Sequence, residues 1–164
     1  MYKETEKVYL PEKIPSLISN LRKKGKTLVF TNGCFDILHI GHVRYLQKAR
    51  DLGDFLIVGI NSDQSIRGIK GENRPIIPQE QRAELLEALE CTDLIVIFDE
   101  PDPLQLISLI QPDILVKGAD WGTDQIIGRE IVEQKGGQVI RLPLIPSVST
   151  SLIIDTIVSR FAKK

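Results

Sequence analysis

The stretch Thr31-Asn32-Gly33-Cys34-Phe35-Asp36-Ile37-Leu38-His39-Ile40-Gly41-His42 follows the apolar run Thr27-Leu28-Val29-Phe30 and precedes a helical pattern over residues 43–52. In order, it reads as a strand, a glycine-containing turn, two histidines and a helix. Amides at a helix start are unpaired and carry partial positive charge, so that end attracts phosphate. The i, i+3 spacing brings His39 and His42 to one side of the first turn. Gly41 between them lets a bulky anion approach the backbone. Two imidazoles and a helix end facing one point suit a phosphate whose charge changes during reaction. A surface pair of histidines or a metal site is the plainer alternative. Cys34 and Cys91 stand far apart and lack the paired-ligand spacing of structural zinc.

Outward from that stretch, apolar strand candidates occur at residues 28–30, 55–60, 94–98, 114–116 and 139–142. Helical patterns lie between them at 43–52, 80–89, 103–110 and 129–135. A first amphipathic helix carries Ile14, Leu17, Ile18 and Leu21 and ends at Gly25. A last helix over 150–161 is expected to bury Ile153, Ile154, Ile157, Val158 and Phe161. The alternation predicts an α/β fold: a doubly wound, Rossmann-like parallel sheet of about five strands with helices on both faces. The expected organisation is one domain over residues 1–164, with 1–25 as an N-terminal helical extension.

Sheets of this kind bind ligands at the carboxyl ends of their strands. There the chain collects its Gly, Lys, Arg, His and Ser: residues 31–42 after the first strand, 61–63 and then 67–75 after the second, 117–122 after the fourth, 143–151 after the fifth. Arg82 continues the apolar stripe of Leu85, Leu86 and Leu89 at a helix start. It is read either as a cation serving phosphate or as a packed stem with its head in water. Lys70 and Arg74 are read in a glycine-containing loop with Gly68 and Gly71, Lys70 being the better phosphate candidate and Arg67 a solvated residue. Lys117 directly follows a buried strand, with Gly118 beside it. Asp120 and Trp121 could meet sugar or base, and Trp121 could equally cap the core. Ser149, Thr150 and Ser151 open the last helix; N-capping explains one of them, and three suggest a second phosphate-binding helix end.

Composition narrows the partners. A formal net charge of −1 gives no global attraction to nucleic acid or to an anionic membrane, so an anion site must be local. The first residues are charged and lack a signal-peptide core, and no apolar run approaches a membrane span. Two isolated cysteines suggest reduced thiols and a cytoplasmic enzyme.

The dodecapeptide resembles the HxGH signature of the nucleotidyltransferase superfamily. The resemblance extends along nearly the whole chain to the heptose 1-phosphate adenylyltransferases of lipopolysaccharide synthesis. Its matching segments are residues 31–42, Lys70-Gly71 through Arg74-Pro75 to Gln81-Arg82, Pro112-Asp113 to Lys117-Gly118-Ala119-Asp120, and Ser149-Thr150. Glycerol-3-phosphate cytidylyltransferases share HxGH but carry Arg-Thr-Glu-Gly where this chain reads Leu144-Ile145-Pro146-Ser147.

The resemblance implies nucleotide contacts at Cys34, Phe35, His39, His42 and Ser149 to Ser151. It also implies transfer of AMP from ATP to D-glycero-β-D-manno-heptose 1-phosphate. Catalytic roles are expected for His39, His42, Lys70 and Arg82, and nucleotide contacts also for Gly41, Lys117 and Gly118. Acceptor contacts are expected for Asp36, Lys70, Arg74, Asp120 and Trp121. Mg²⁺ would accompany ATP, with Asp36 as a candidate ligand. A separate heptose kinase would supply the sugar phosphate, and the reading leaves room for a homodimer. The rivals are a cytidylyltransferase or FAD synthetase-like enzyme with another acceptor, and a non-catalytic nucleotide sensor.

Overall fold

The computed structural model describes residues 6–120, 122 and 125–162. Strands are β1 (Val8–Tyr9), β2 (Leu28–Gly33), β3 (Phe55–Asn61), β4 (Leu94–Phe98), β5 (Ile114–Gly118) and β6 (Gln138–Leu142). Helices are α1 (Ile14–Lys23), α2 (Ile40–Arg50), α3 (Asp63–Lys70), α4 (Gln79–Glu87), α5 (Leu104–Ile110), α6 (Arg129–Gln134) and α7 (Thr150–Phe161). The strands form one parallel sheet in the order β1-β4-β3-β2-β5-β6. The five expected strands are all present. The sixth, β1, has only two residues, too few for an alternation pattern, and pairs Val8 with Ile95 at the sheet edge.

Alternation along the central strands sends neighbouring residues to opposite faces. Phe30 and Ile57 pack with Ile14, Ile107 and Val132 on one face. Val29 and Val58 pack with Leu46, Ala83 and Leu86 on the other. With helices covering both faces, the central strands are apolar along most of their length, as a buried parallel sheet requires, and turn polar at Thr31, Asn32, Asn61 and Lys117 toward their carboxyl ends.

From β2 the chain winds outward through β3 to β4, then returns to the opposite side of β2 for β5 and β6. The carboxyl ends of β2 and β5 therefore flank a topological switch point, where their departing loops diverge and leave a crevice.

Two segments depart from the sequence reading. Residues 63–70 form a helix and not a loop, so Gly68 and Lys70 belong to α3; Gly71, at φ +90, ends it. Gly68 and the short length hid the helical period. The apolar face of α7 is also only partly covered, with Ile153 and Ile154 half-buried and Ile157 and Val158 exposed. None of its residues is buried, and Phe161 is 77% exposed.

Candidate active site

The turn after β2 is built under strain. Phe35 and Ile37 adopt φ +48 and +47, a left-handed region that is unfavourable for a β-branched residue such as Ile37. Three tethers hold it. Arg82 Nη1 donates to the Cys34 carbonyl at 2.5 Å, Thr150 Oγ1 donates to the Asp36 carbonyl at 2.7 Å, and the Asp36 carboxylate accepts from Arg74 Nε at 2.7 Å. The turn is thereby tied to α4, to the start of α7 and to the segment after α3.

Two of these tethers correct the sequence reading. Arg82 is only 1% exposed and lies outside the clefts at the switch point. Its guanidinium donates to the carbonyls of Ile77, Cys34 and Asn61 and to the Asp63 carboxylate. Those acceptors take four of its five N–H groups, so in this structure Arg82 clamps loops together from a buried position beside the clefts. Asp36 is likewise buried and accepts from the amides of Ile76 and Ile77 as well as from Arg74. Burial pushes its pKa up, but the two amides and Arg74 outweigh burial and hold it below the usual carboxylate value. Its oxygens are occupied, which removes it as a metal ligand and as an acceptor contact. No group of three or more His, Cys, Asp or Glu among the described residues could hold a metal ion.

The remaining candidates converge on a cleft of about 350 Å³ at the switch point, within the range of small-molecule sites. Its wall from the β2–α2 turn carries Cys34, Phe35, His39, Gly41 and His42. Lys70 and Arg74 close one side, and Lys117, Gly118 and Asp120 come from the end of β5. Ser149, Thr150 and Ser151 enter from the start of α7. Trp121 lies outside the described residues.

Inside this cleft the His39 and His42 rings stack, with centroids 3.8 Å apart and planes 17° from parallel. Phe35 meets His42 edge-on at 5.3 Å. The Nδ1 atoms of both histidines are buried without a hydrogen-bond partner among the described residues. Burial, then the neighbouring His39 and Lys70, push the His42 pKa down to about 4 against the opposing effect of Asp36. Burial also lowers that of His39. Both rings are thus neutral at pH 7, and an arriving polyanion would raise their proton affinity. Gly41 makes the stack possible, since a Cβ there would lie 2.9 Å from the His39 ring.

The two helix starts contribute differently. α2 has no side-chain cap; the His42 amide donates to the His39 carbonyl, and the Ile40 and Gly41 amides at its start are left for a ligand. Ser149 Oγ caps α7 by accepting from the Leu152 amide at 3.1 Å, and Thr150 is engaged with Asp36. Of the three hydroxyls, Ser151 alone makes no hydrogen bond to the described residues. Across the switch point, Lys117 Nζ donates to Asn32 Oδ1. Burial lowers the Lys117 pKa to about 8, which leaves it cationic at neutral pH. A Cβ at Gly118 would stand 2.4 Å from Asp120 Oδ1, so a side chain there would push that carboxylate from its place in the cleft wall.

The sequence reading missed several wall residues. Asn32 lay inside the quoted stretch, one residue beyond the pairing of Thr31 with Val116, which places it beside Lys117. Tyr45, three residues after His42, lines the cleft and shares a 2.8 Å hydrogen bond with Thr31 Oγ1. Leu144, Ile145 and Val148 give the cleft an apolar wall suited to a flat base. The unusual stretch 144–147 was visible as a sequence departure, but not as a wall.

A parallel sheet with a stacked histidine pair and two helix starts at its switch point has the form of a nucleotide-binding transferase. Residues 30–156 match the cytidylyltransferase-like family model, and the chain belongs to that family. It is 50% identical over 155 residues to the Bifunctional protein HldE of Syntrophotalea carbinolica, covering 94% of this chain and 32% of that protein. Against the HldE of Geobacter sulfurreducens the identity is 50% over 151 residues, covering 92% of this chain and 31% of that one. The chain thus spans about a third of the length of the curated relatives it matches.

Among solved structures, the lipopolysaccharide core biosynthesis protein of Thermoplasma volcanium superposes with a TM-score of 0.61 at 30% identity, covering 74% of this chain and 98% of that one. A pantoate-beta-alanine ligase from Francisella tularensis, solved with a β,γ-ATP compound and β-alanine, gives a TM-score of 0.64 at 17% identity. It covers 98% of this chain and 80% of that one, and shows likeness of fold alone.

Proposed function

We propose that this chain is an adenylyltransferase that transfers AMP from ATP to a sugar 1-phosphate, D-glycero-β-D-manno-heptose 1-phosphate, giving ADP-heptose and pyrophosphate. The stacked His39–His42 pair beside the uncapped start of α2 carries this reading. The level of identity to the HldE proteins supports the heptose acceptor.

An oxygen of the acceptor phosphate attacks the α-phosphorus of ATP and forms a new P–O–P link. The bond from the α-phosphorus to the bridging oxygen breaks, and pyrophosphate leaves with the electron pair. A phosphate monoester has its second pKa near 6, so the nucleophile is already mostly ionised and no general base is required. The task is to bring two polyanions together and to stabilise charge on the α-phosphate and the leaving group. His39 and His42 donate to the phosphates, Lys70 and Lys117 supply positive charge, and Ser151 with the amides at the start of α7 meets the nucleotide. The apolar wall of Leu144, Ile145 and Val148 receives the base.

Magnesium enters as the counter-ion of ATP, because the donor set here does not build a protein-held metal site. The whole chain acts as one domain, and its reduced cysteines suit the cytoplasm. No helix among the described residues is long and apolar enough to cross a membrane.

The test is product identification. Incubation with ATP and heptose 1-phosphate should give ADP-heptose and pyrophosphate in equal amounts by mass spectrometry and ion chromatography, and added pyrophosphate should return ATP. Release of free AMP with no sugar nucleotide would contradict the reading.

A further inference from the structure

We propose that Tyr45 is a positioning residue for adenylyl transfer: its hydroxyl latches α2 to Thr31 near the end of β2 and so fixes where the His39–His42 stack stands. This rests on the adenylyl-transfer reading above and deepens it. The stack has no anchor of its own. Neither Nδ1 has a hydrogen-bond partner among the described residues, so the rings are held by each other, by Phe35 and by the backbone that carries them. That backbone is open on the ligand side. It follows the strained turn over Phe35 and Ile37, and α2 begins without a side-chain cap. Such a helix start needs a fixed point elsewhere if two rings are to meet phosphate within about half an ångström.

Tyr45 supplies that point. It lies three residues after His42, so the two side chains are neighbours on one face of α2. Its ring packs against the apolar cluster that includes Val29, Leu46 and Val58, and it also lines the nucleotide cleft. Its hydroxyl stands 2.8 Å from Thr31 Oγ1, fourteen residues back in the chain. Thr31 is fully buried, and its strand is paired there with Val58 on one side and Val116 on the other, so it cannot yield. The bond therefore closes the whole unit of strand, strained turn and helix start. Among the described residues, it is the side-chain hydrogen bond that ties the first two turns of α2 to the sheet. The other end of α2 is tied separately, by Arg50 to Asp93 at 2.7 Å. One tie at each end holds the helix against rotation as well as sliding. Burial pushes the Tyr45 pKa up to about 12 against the opposing effect of the Thr31 bond, so the hydroxyl keeps its proton at neutral pH. A hydroxyl pair shielded from water is costly to leave open, which keeps the latch closed.

The experiment compares Tyr45→Phe, Thr31→Val and the double variant with the wild type. Each single change leaves one hydroxyl without its partner. The double change removes both, so its stability should return close to that of the wild type. Turnover should not return. kcat for ADP-heptose formation should fall about tenfold in each single variant and by the same factor, not its square, in the double, with KM for ATP within about twofold. The chain has two histidines and both belong to the stack, so their imidazole NMR signals report its geometry with no substrate present. Those signals should move in all three variants. A kcat that recovers with stability in the double variant would make Tyr45 a packing residue and overturn the latch. So would losses that multiply in the double, or imidazole signals and kcat unchanged in Tyr45→Phe. A wild type that turns over no sugar 1-phosphate would overturn the parent reading, while the imidazole signals would still decide whether Tyr45 sets the stack.

Discussion

His39 and His42 hold their imidazoles face to face, 3.8 Å between centroids, with each Nδ1 buried and unpaired among the described residues. Two rings so close cannot both be protonated without strong repulsion, and burial disfavours the charge further. The pair is therefore uncharged until a polyanion arrives, and it can then donate where charge develops. Replacing His42 by Ala should lower kcat by roughly 10²-fold or more, the scale of losing one preorganised donor, while ATP affinity changes much less. Stopped-flow pyrophosphate release and nucleotide titration would separate the two effects. Near-wild-type turnover would remove the histidines from the chemistry.

The same burial makes stability depend on pH. His42 titrates at about 4 in the folded chain and near 6.5 when unfolded. Between those values the unfolded state binds the extra proton. The contribution of neutral His42 is therefore fully present above pH 6.5 and is lost as pH falls toward 4, a change on the order of 3 kcal/mol. Asp36, whose pKa is lowered, adds its own loss only below the normal carboxylate range. Urea unfolding of wild type and His42→Gln at pH 7, 5.5 and 4.5 should show a clearly flatter dependence in the variant. Equal slopes would mean that His42 is not the group responsible.

Gly41 gives a sharper probe of the stack. Alanine suits the first turn of α2 at least as well as glycine, but its Cβ would push on the His39 ring. Gly41→Ala should keep or raise the melting temperature and lower kcat at least tenfold. Unchanged kcat would show that the ring is free to shift at no cost to the reaction.

Arg82 and Asp36 show where sequence reading stops. Helical spacing put Arg82 on a buried stripe at the ligand edge, which is where it lies. What it touches there depends on the carbonyls of Cys34, Asn61 and Ile77, brought together from three segments. Removing it strands those acceptors and the Asp63 carboxylate. Arg82→Leu should therefore destabilise the protein by roughly 3–5 kcal/mol, the range for breaking a buried charged network. Chemical denaturation checks this; a stable, folded and inactive Leu variant would instead restore a direct role in phosphate binding.

Asp36 offers a parallel test. Asp36→Asn should weaken the tie to Arg74 and raise KM for substrate through the loosened 74–77 segment, with the Mg²⁺ concentration for half-maximal activity unchanged. A several-fold shift in that concentration would make Asp36 a metal ligand.

Much of the scaffold was legible because it depends on local periodicity. The strands of the central sheet are largely apolar runs, the helical patterns of α2 and α4 were readable in outline, and α7 carries a Ser149 cap at its start. The two-residue β1 carries no period, and α3 holds a glycine and only two apolar residues, Ile66 and Ile69. The partly covered face of α7 marks another limit. Amphipathic spacing tells which side of a helix is apolar, but not whether anything covers it. At the site, the His, Lys and Ser residues were visible by type. The role of Asn32 was not, because it lies in the strand order that sets β2 beside β5 and so brings Asn32 to Lys117.

The most direct measurement is kcat/KM for pyrophosphate release across two nucleotides and a panel of acceptors. The account predicts that ATP with heptose 1-phosphate exceeds glycerol 3-phosphate, phosphopantetheine and FMN by orders of magnitude, because groups arranged for sugar hydroxyls are left unpaired by other acceptors. CTP should be a poor substitute for ATP. Robust turnover of glycerol 3-phosphate with CTP would contradict the account and leave only family membership standing.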